Sequence, residues 1–239
     1  MFDRDRFQAD LLVYANLGLG KERPLSSGRT SSIYIDCRPL SASVQRLLMV
    51  YEHISQFLID CYEESPPRLQ PSTHTIAVPD GTTLLAAVCN TVAGLYADHD
   101  IPLTLIRKQP KQHGTQATSH LLGSTEGRPL LLEDVVSTSA SVLNALDLLE
   151  TYTNIHPVGV LCLVDRMHRL ENGETARQRI EARGYPFCAL TTLKELLPGM
   201  IHKEQPSKES LEKVRAELLQ HHYGFEDFDF EPYFQEGQA

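Results

Sequence analysis

The run Leu130-Leu131-Leu132-Glu133-Asp134-Val135-Val136-Ser137-Thr138-Ser139-Ala140-Ser141-Val142-Leu143 decides the fold class. Its three leucines are consecutive, whereas a strand exposed on one face would alternate with polar residues. They predict a strand covered on both faces. Two acids close that strand, hydroxyl residues follow, and a helical apolar period runs from Ala140 to Tyr152. A buried strand that leads directly into a helix is the building unit of a parallel sheet.

The same alternation extends in both directions. Leu47, Leu48, Tyr51, Ile54, Leu58 and Cys61 recur at three- and four-residue steps, which predicts one apolar helix face between Ser43 and Cys61. A linker follows over 63–67. Apolar Thr75 to Val78, helical Leu84 to Tyr96, apolar Pro102 to Ile106 and apolar Val158 to Val164 continue the series. Glu174 to Arg183 reads as a helix, Phe187 to Leu190 as a last strand and Ser207 to Gln220 as a charged helix. The predicted fold class is α/β, with a central, mainly parallel sheet and helices on both faces. Residues 1–200 are expected to form the main domain, and 201–239 a C-terminal helix and tail. That tail alternates acids with aromatics from Phe225 to Phe234 and is expected to dock rather than stay solvated.

Composition excludes several functions. With 22 Lys and Arg against 31 acids the formal charge is −9, which disfavours duplex nucleic acid or an anionic membrane as the main partner. No apolar run reaches the ~18 residues of a membrane span, and the start lacks a signal-peptide pattern. A cytoplasmic location is expected. Five cysteines, odd in number and without a CxxC, read as reduced packing residues. The ten histidines form no HxH or HExxH pattern, and His221-His222 reads as surface. No G-x-S-x-G elbow is present.

Ligands of open α/β sheets sit beyond the carboxyl ends of the strands. There, Glu133 and Asp134 could accept hydrogen bonds from a sugar diol, and the hydroxyl loop Ser137 to Ser141 enters a helix N-terminus that favours phosphate. The alternative is that Ser139 or Ser141 merely caps the helix, beside one acidic dipeptide among many. A second cluster, Arg107-Lys108-Gln109-Pro110-Lys111-Gln112-His113-Gly114, concentrates cations in a loop. Alone it reads as a solvated charge run. Beyond the same sheet edge it becomes a lid that brings positive charge to a polyphosphate, as suits chemistry in which pyrophosphate leaves.

These segments together resemble the type I phosphoribosyltransferases, and more narrowly their orotate branch. Leu25-Ser26-Ser27-Gly28-Arg29-Thr30-Ser31-Ser32-Ile33-Tyr34-Ile35-Asp36 resembles that family's opening "LKSGxxSPxYxD" segment, and Arg107 to Gly114 its "RKxxKDxG" loop. Glu133 to Ser141 resembles "EDVVTTGGS", the motif for phosphoribosyl pyrophosphate (PRPP). Val164-Asp165-Arg166 with Ala182-Arg183-Gly184 resembles "VDRxxGG…ARG", and Thr192 to Leu197 resembles "TLSELL".

The resemblance implies a small N-terminal hood over the sheet and transfer of ribose 5-phosphate from PRPP to orotate. It implies that Glu133 and Asp134 hold the ribose hydroxyls, and that Ser137, Thr138, Ser139, Ala140 and Ser141 wrap the 5′-phosphate. Arg107, Lys108, Lys111 and His113 would bind pyrophosphate, with Lys111, His113 and Asp134 carrying the catalytic roles. Tyr34, Ile35, Ser137 and Arg166 would bind orotate. Mg²⁺ would be bound mainly through PRPP and water rather than a protein cage. A homodimer whose lid closes over the partner's site is implied.

Four residues depart from the pattern: Ser26 replaces a lysine, Ser139 a glycine, Asp80 a tyrosine beside the expected pyrophosphate, and Gln112 the acid of the lid. A homologue that binds PRPP or a nucleotide as a regulator is the alternative function.

Overall fold

The structure, a computed structural model, describes residues 1–24, 30–111 and 119–235. Ser26, Gln112 and His113 lie outside these described residues. Helix α1 (Arg4–Tyr14) is capped by Asp3, whose carboxylate accepts the Arg6 N–H. It leads into the antiparallel pair β1 (Asn16–Pro24) and β2 (Thr30–Asp36). Next come α2 (Val44–Glu63), β3 (Thr75–Ala77), α3 (Thr83–Tyr96), and the short strands β4 (Thr104–Ile106) and β5 (Leu121–Gly123). The second half runs β6 (Leu130–Val136), α4 (Ala140–Tyr152), β7 (Gly159–Asp165), α5 (Ala176–Glu181), β8 (Phe187–Thr192), α6 (Leu193–Glu204), α7 (Lys208–His221) and α8 (Glu231–Gln235).

The central sheet is parallel throughout, in the order β3-β6-β7-β8, so the two most apolar strands take the two inner places. Leu130 and Leu132 of β6, with Leu161 and Leu163 of β7, pack into a core shared with α1, α2, α3, α6 and α7. Leu131, Val160 and Cys162 point to the other face and pack against α4 and α5. The unbroken apolar run of β6 follows from this two-sided burial. Both helical layers direct their sheet's carboxyl edge toward one end, where Glu133, Asp134 and Arg166 lie.

Two expectations need correction. The Pro102 to Ile106 run does not join the central sheet: β4 pairs antiparallel with β5, and the ribbon continues through the Arg107 N–H to the His120 carbonyl at 2.8 Å. Gly123, at φ +95°, lies so close to the Leu103 carbonyl that a Cβ would come within 2.0 Å of its oxygen. The ribbon is therefore the stem of the basic loop. On α2 the buried face is Leu47, Val50, Ile54, Phe57 and Cys61, rotated from the predicted stripe, and Leu48 is exposed beside Leu84 of α3.

The C-terminal segment packs on the same core. Helix α6 runs across residue 200, and Leu211, Val214, Leu218, Phe225 and Phe230 are buried with Leu163 and Leu190. The alternation of the tail follows from this: aromatics turn inward, while Asp227 meets Lys194 at 2.6 Å and Glu226 meets Arg169 at 3.2 Å.

Candidate active site

Glu133 and Asp134 are neighbours with different environments. The Glu133 side chain is buried; its Oε2 accepts the Ser141 hydroxyl at 2.8 Å and its Oε1 the Asp134 N–H at 3.0 Å. Burial, and then the adjacent Asp134 charge, push the Glu133 carboxyl up to about 8, so it is protonated at neutral pH. Asp134 is only half-buried and accepts the Val135 N–H at 2.8 Å. Its carboxyl lies over Gly81, where a Cβ would come within 2.9 Å of the carboxyl carbon and both oxygens. Glycine at 81 thus allows the Asp80-Gly81 turn to rest on the carboxylate. The buried thiol of Cys37, just past β2, is raised by burial and then by Asp134 and Asp36, which places the end of β2 beside the same acid.

The hydroxyl loop does not cap α4 in the ordinary way. Ser139 occupies the N-cap position at φ 63°, in the left-handed region, and makes no side-chain cap bond. Its hydroxyl turns back to the Thr138 carbonyl, while Ser141 is tied to Glu133. The first-turn amides of α4 therefore receive no side chain from Ser139, which corrects the capping alternative. Arg179 of α5 donates to the Thr138 carbonyl at 2.8 Å and steadies the loop from below. Ser137 and Thr138 are half-buried, and Ala140 and Ser141 are exposed at the helix start.

Of the basic loop, Arg107 donates its Nε–H to the Leu121 carbonyl at 3.3 Å, and the Lys111 N–H donates to the Ser119 carbonyl at 2.9 Å. Lys108 Nζ lies 2.7 Å from Asp80 Oδ2, both side chains exposed. Through the Asp80-Gly81 turn this brings Lys108 to the side of Asp134. Lys111 is exposed, and His113 lies outside the described residues.

Arg166 stands one residue past β7, its N–H donating to the Val136 carbonyl at 2.9 Å. The guanidinium is buried; Nη2 donates to Ser31 Oγ and to the Ile33 carbonyl, each at 3.1 Å, and Nε has no partner. Burial lowers its pKa, opposed by the negative charge of Glu217. Of the other expected base-binding residues, Ile35 sends its side chain into the core and pairs with Leu17 of β1. The Tyr34 ring lies under Arg23 at 4.2 Å.

His222 is buried rather than on the surface, because the tail folds Phe225 over it with the rings edge-on at 6.1 Å. Both its ring nitrogens lack partners, and burial followed by the Arg166 charge pulls the imidazole down to about 3. Sequence reading also missed Glu217 and Arg179. Glu217 sits three residues after Val214 and one before Leu218, so its apolar neighbours on α7 were the available signal.

No protein-family model matches the chain. A curated orotate phosphoribosyltransferase of Pyrococcus abyssi is 31% identical over 172 residues, 72% of this chain and 84% of the relative. The solved UMP synthase of Leishmania donovani superposes with a TM-score of 0.65 at 23% identity, over 90% of this chain and 42% of that one. An orotate phosphoribosyltransferase of Mycobacterium tuberculosis, solved in complex with PRPP, gives a TM-score of 0.55 at 20% identity over 81% of this chain and 98% of that one. The fold is that of the type I phosphoribosyltransferases, and the chain belongs to the orotate phosphoribosyltransferase family of pentosyl-transferring enzymes.

Proposed function

We propose that this chain transfers ribose 5-phosphate from PRPP to orotate, forming orotidine 5′-monophosphate and pyrophosphate in UMP synthesis. The observation that carries this reading is the acid pair in the carboxyl half of a buried parallel strand, which runs on to Val136 and then into a loop wound into the start of α4. Asp134, half-exposed, is the acceptor for the ribose diol. Protonated Glu133 holds Ser141 in place and, being neutral, adds no second charge beside the phosphates. The amides of the Ser137 to Ser141 loop and the α4 dipole receive the 5′-phosphate.

In the reaction the C1′–O bond to pyrophosphate breaks as N1 of orotate bonds to C1′, the N1 proton is lost to solvent or to pyrophosphate, and negative charge grows on the leaving group. Arg107, Lys108 and Lys111 are the cations placed to meet it, with His113 as a further lid residue. Arg166 and the backbone of β2 face the base. Magnesium fits this donor set as a substrate-borne ion: among the described residues no three of His, Cys, Asp or Glu converge on one point, whereas Asp134 can add one carboxylate to PRPP oxygens and water. When bound, it neutralises pyrophosphate charge.

Homodimerisation is part of the proposal. A groove of about 500 Å³ between α2 and α3 is lined by Val44, Leu47, Leu48, Leu84 and Val88. Val44 is 61% and Leu84 57% exposed, an apolar face suited to a second copy. No helix among the described residues is long and apolar enough to cross a membrane, and the five free, buried cysteines suit the reducing cytoplasm. The test is loss of orotate absorbance with PRPP and magnesium, beside PRPP binding by calorimetry. Turnover supports the reading; PRPP binding without turnover would favour the regulator, to which the Asp80–Lys108 pair lends support by occupying a pyrophosphate cation.

A further inference from the structure

Helix α7 brings a carboxylate to the base side of the site. Glu217 Oε2 accepts the Ser32 backbone N–H and the Ser32 hydroxyl, each at 2.6 Å, while its Oε1 accepts the Ser31 hydroxyl. Ser31 Oγ in turn receives Arg166 Nη2 at 3.1 Å. Glu217 is thus one hydroxyl removed from the arginine proposed to bind the base. A backbone amide, two hydroxyls and a nearby guanidinium form the donor set that recognises a bound carboxylate, and here the chain's own carboxylate occupies it. Ser31, Ser32 and Arg166 are all at least nine-tenths buried.

Glu217 borders a cleft of about 300 Å³ that also reaches Ser31, Ser32 and His221, so the contact opens to solvent rather than being sealed in the core. Near Arg166, Asp165 and His222 are also buried: the Asp165 carboxylate is taken up by the Met167 N–H and the Tyr223 hydroxyl, and His222 is neutral. Glu217 is therefore the negative charge that offsets the burial of the Arg166 guanidinium. A pyrimidine that carries its own carboxylate must either displace that of Glu217 or bind beside it against like-charge repulsion. A neutral pyrimidine meets no such competition.

We propose that Glu217 is a specificity-determining residue that sets the discrimination between carboxylated and neutral pyrimidine bases by competing for the Ser31–Ser32 donors. This rests on the base-side reading of Arg166 given above. Glu217→Gln keeps the shape of the side chain and removes the charge, with one acceptor oxygen replaced by a donor NH2. The apparent KM for orotate is expected to fall roughly tenfold, with the KM for PRPP unchanged and kcat altered less than twofold, because repulsion of this kind acts on binding. Binding of uracil, the same ring without the carboxylate, is expected to stay constant. Glu217→Ala, which vacates the donors altogether, is expected to move orotate in the same direction.

Equal shifts for orotate and uracil, or no shift for either, would overturn the inference and leave Glu217 as a tie between α7 and β2. If wild-type protein shows no turnover of orotate, the proposed activity fails separately, and calorimetric titration of orotate and uracil into wild type and Glu217→Gln then decides the point. Selective tightening for orotate retains the role of Glu217, and its absence removes it.

Discussion

Lys108 and Asp80 form an ion pair at 2.7 Å on the open side of Asp134, so a cation expected to meet pyrophosphate is held by an acid of the chain itself. Both side chains are well exposed, so the pair is worth under about 1 kcal/mol. It restrains Lys108 weakly and can open when a polyphosphate arrives. Asp80→Asn is expected to lower the KM for PRPP about two- to fivefold by freeing Lys108. The alternative, that Asp80 helps to hold the metal, gives the opposite result: a higher magnesium requirement and a higher KM. Initial rates over a PRPP and magnesium grid separate the two.

Ser139 holds a left-handed φ that costs a residue with a Cβ about 1–2 kcal/mol. Ser139→Gly removes that cost, offset by the loss of its bond to the Thr138 carbonyl and by the greater chain freedom of glycine when unfolded. The net is a gain of about 0.5–1 kcal/mol, read as a rise of a few degrees in Tm. PRPP affinity is expected to be kept or improved, since the backbone path of the loop is unchanged. A fall in Tm would mean that the hydroxyl contributes more than the backbone strain costs.

The Glu133 carboxyl, raised to about 8, gives a pH signature. An acid whose folded pKa lies above its unfolded value binds more protons when folded, so stability falls as pH rises from about 4.5 through 8. Buried His222 and His74, drawn down to about 3 and about 4, act in the opposite sense, but only below about 6.5. Between pH 6.5 and 8 the two histidines no longer act, and Glu133 contributes a falling slope. Glu133→Gln is expected to flatten the fall in Tm over that window, and to be more stable than wild type at pH 8.5 by a larger margin than at pH 6. Parallel curves for the two proteins would show that Glu133 ionises normally.

The elements read best from sequence were those whose packing leaves a one-dimensional trace. The apolar runs of β6 and β7 predicted inner strands because burial on both faces removes polar alternation, whereas the acids read as closing β6 lie within it, the strand running on to Val136. Strand β4 was misplaced because three residues carry no information about their partner, and its pairing with β5 is fixed by contacts across the basic loop. Helix α1 and strand β1 mix polar residues with few apolar ones, and Phe7 and Leu11 alone do not show a helix. On the site, Glu217 was hidden in a charged helix, since nothing local distinguishes an acid turned toward β2 from solvated acids such as Glu209 and Glu212. His222 was misjudged because its burial comes from the tail that folds back after it.

Lys111 stands at the end of the β4–β5 stem, exposed, with its backbone tied to Ser119. A cation that meets the leaving group only as charge develops contributes to the transition state more than to the ground state. Lys111→Ala is expected to reduce kcat on the order of 100-fold while changing the Kd for PRPP less than threefold. A loss confined to PRPP binding would make Lys111 an ordinary substrate contact.

The shared lid can be tested by mixing two inactive proteins. Lys111→Ala lacks the lid cation and Asp134→Asn lacks the acceptor for the ribose diol. If each lid serves the partner's site, a hybrid dimer has one site with an intact Asp134 and an intact Lys111, and one site with both defects. Random exchange makes half of the dimers hybrids with one working site each, so mixing is expected to restore about a quarter of wild-type activity. If the lid serves its own subunit, every site in every dimer keeps one defect and mixing restores nothing. Leu84→Glu, which places a charge on the apolar groove between α2 and α3, is expected to block the rescue by keeping the subunits apart, with sedimentation reporting monomer. Rescue that survives Leu84→Glu would move the subunit contact to another face while keeping the lid in trans.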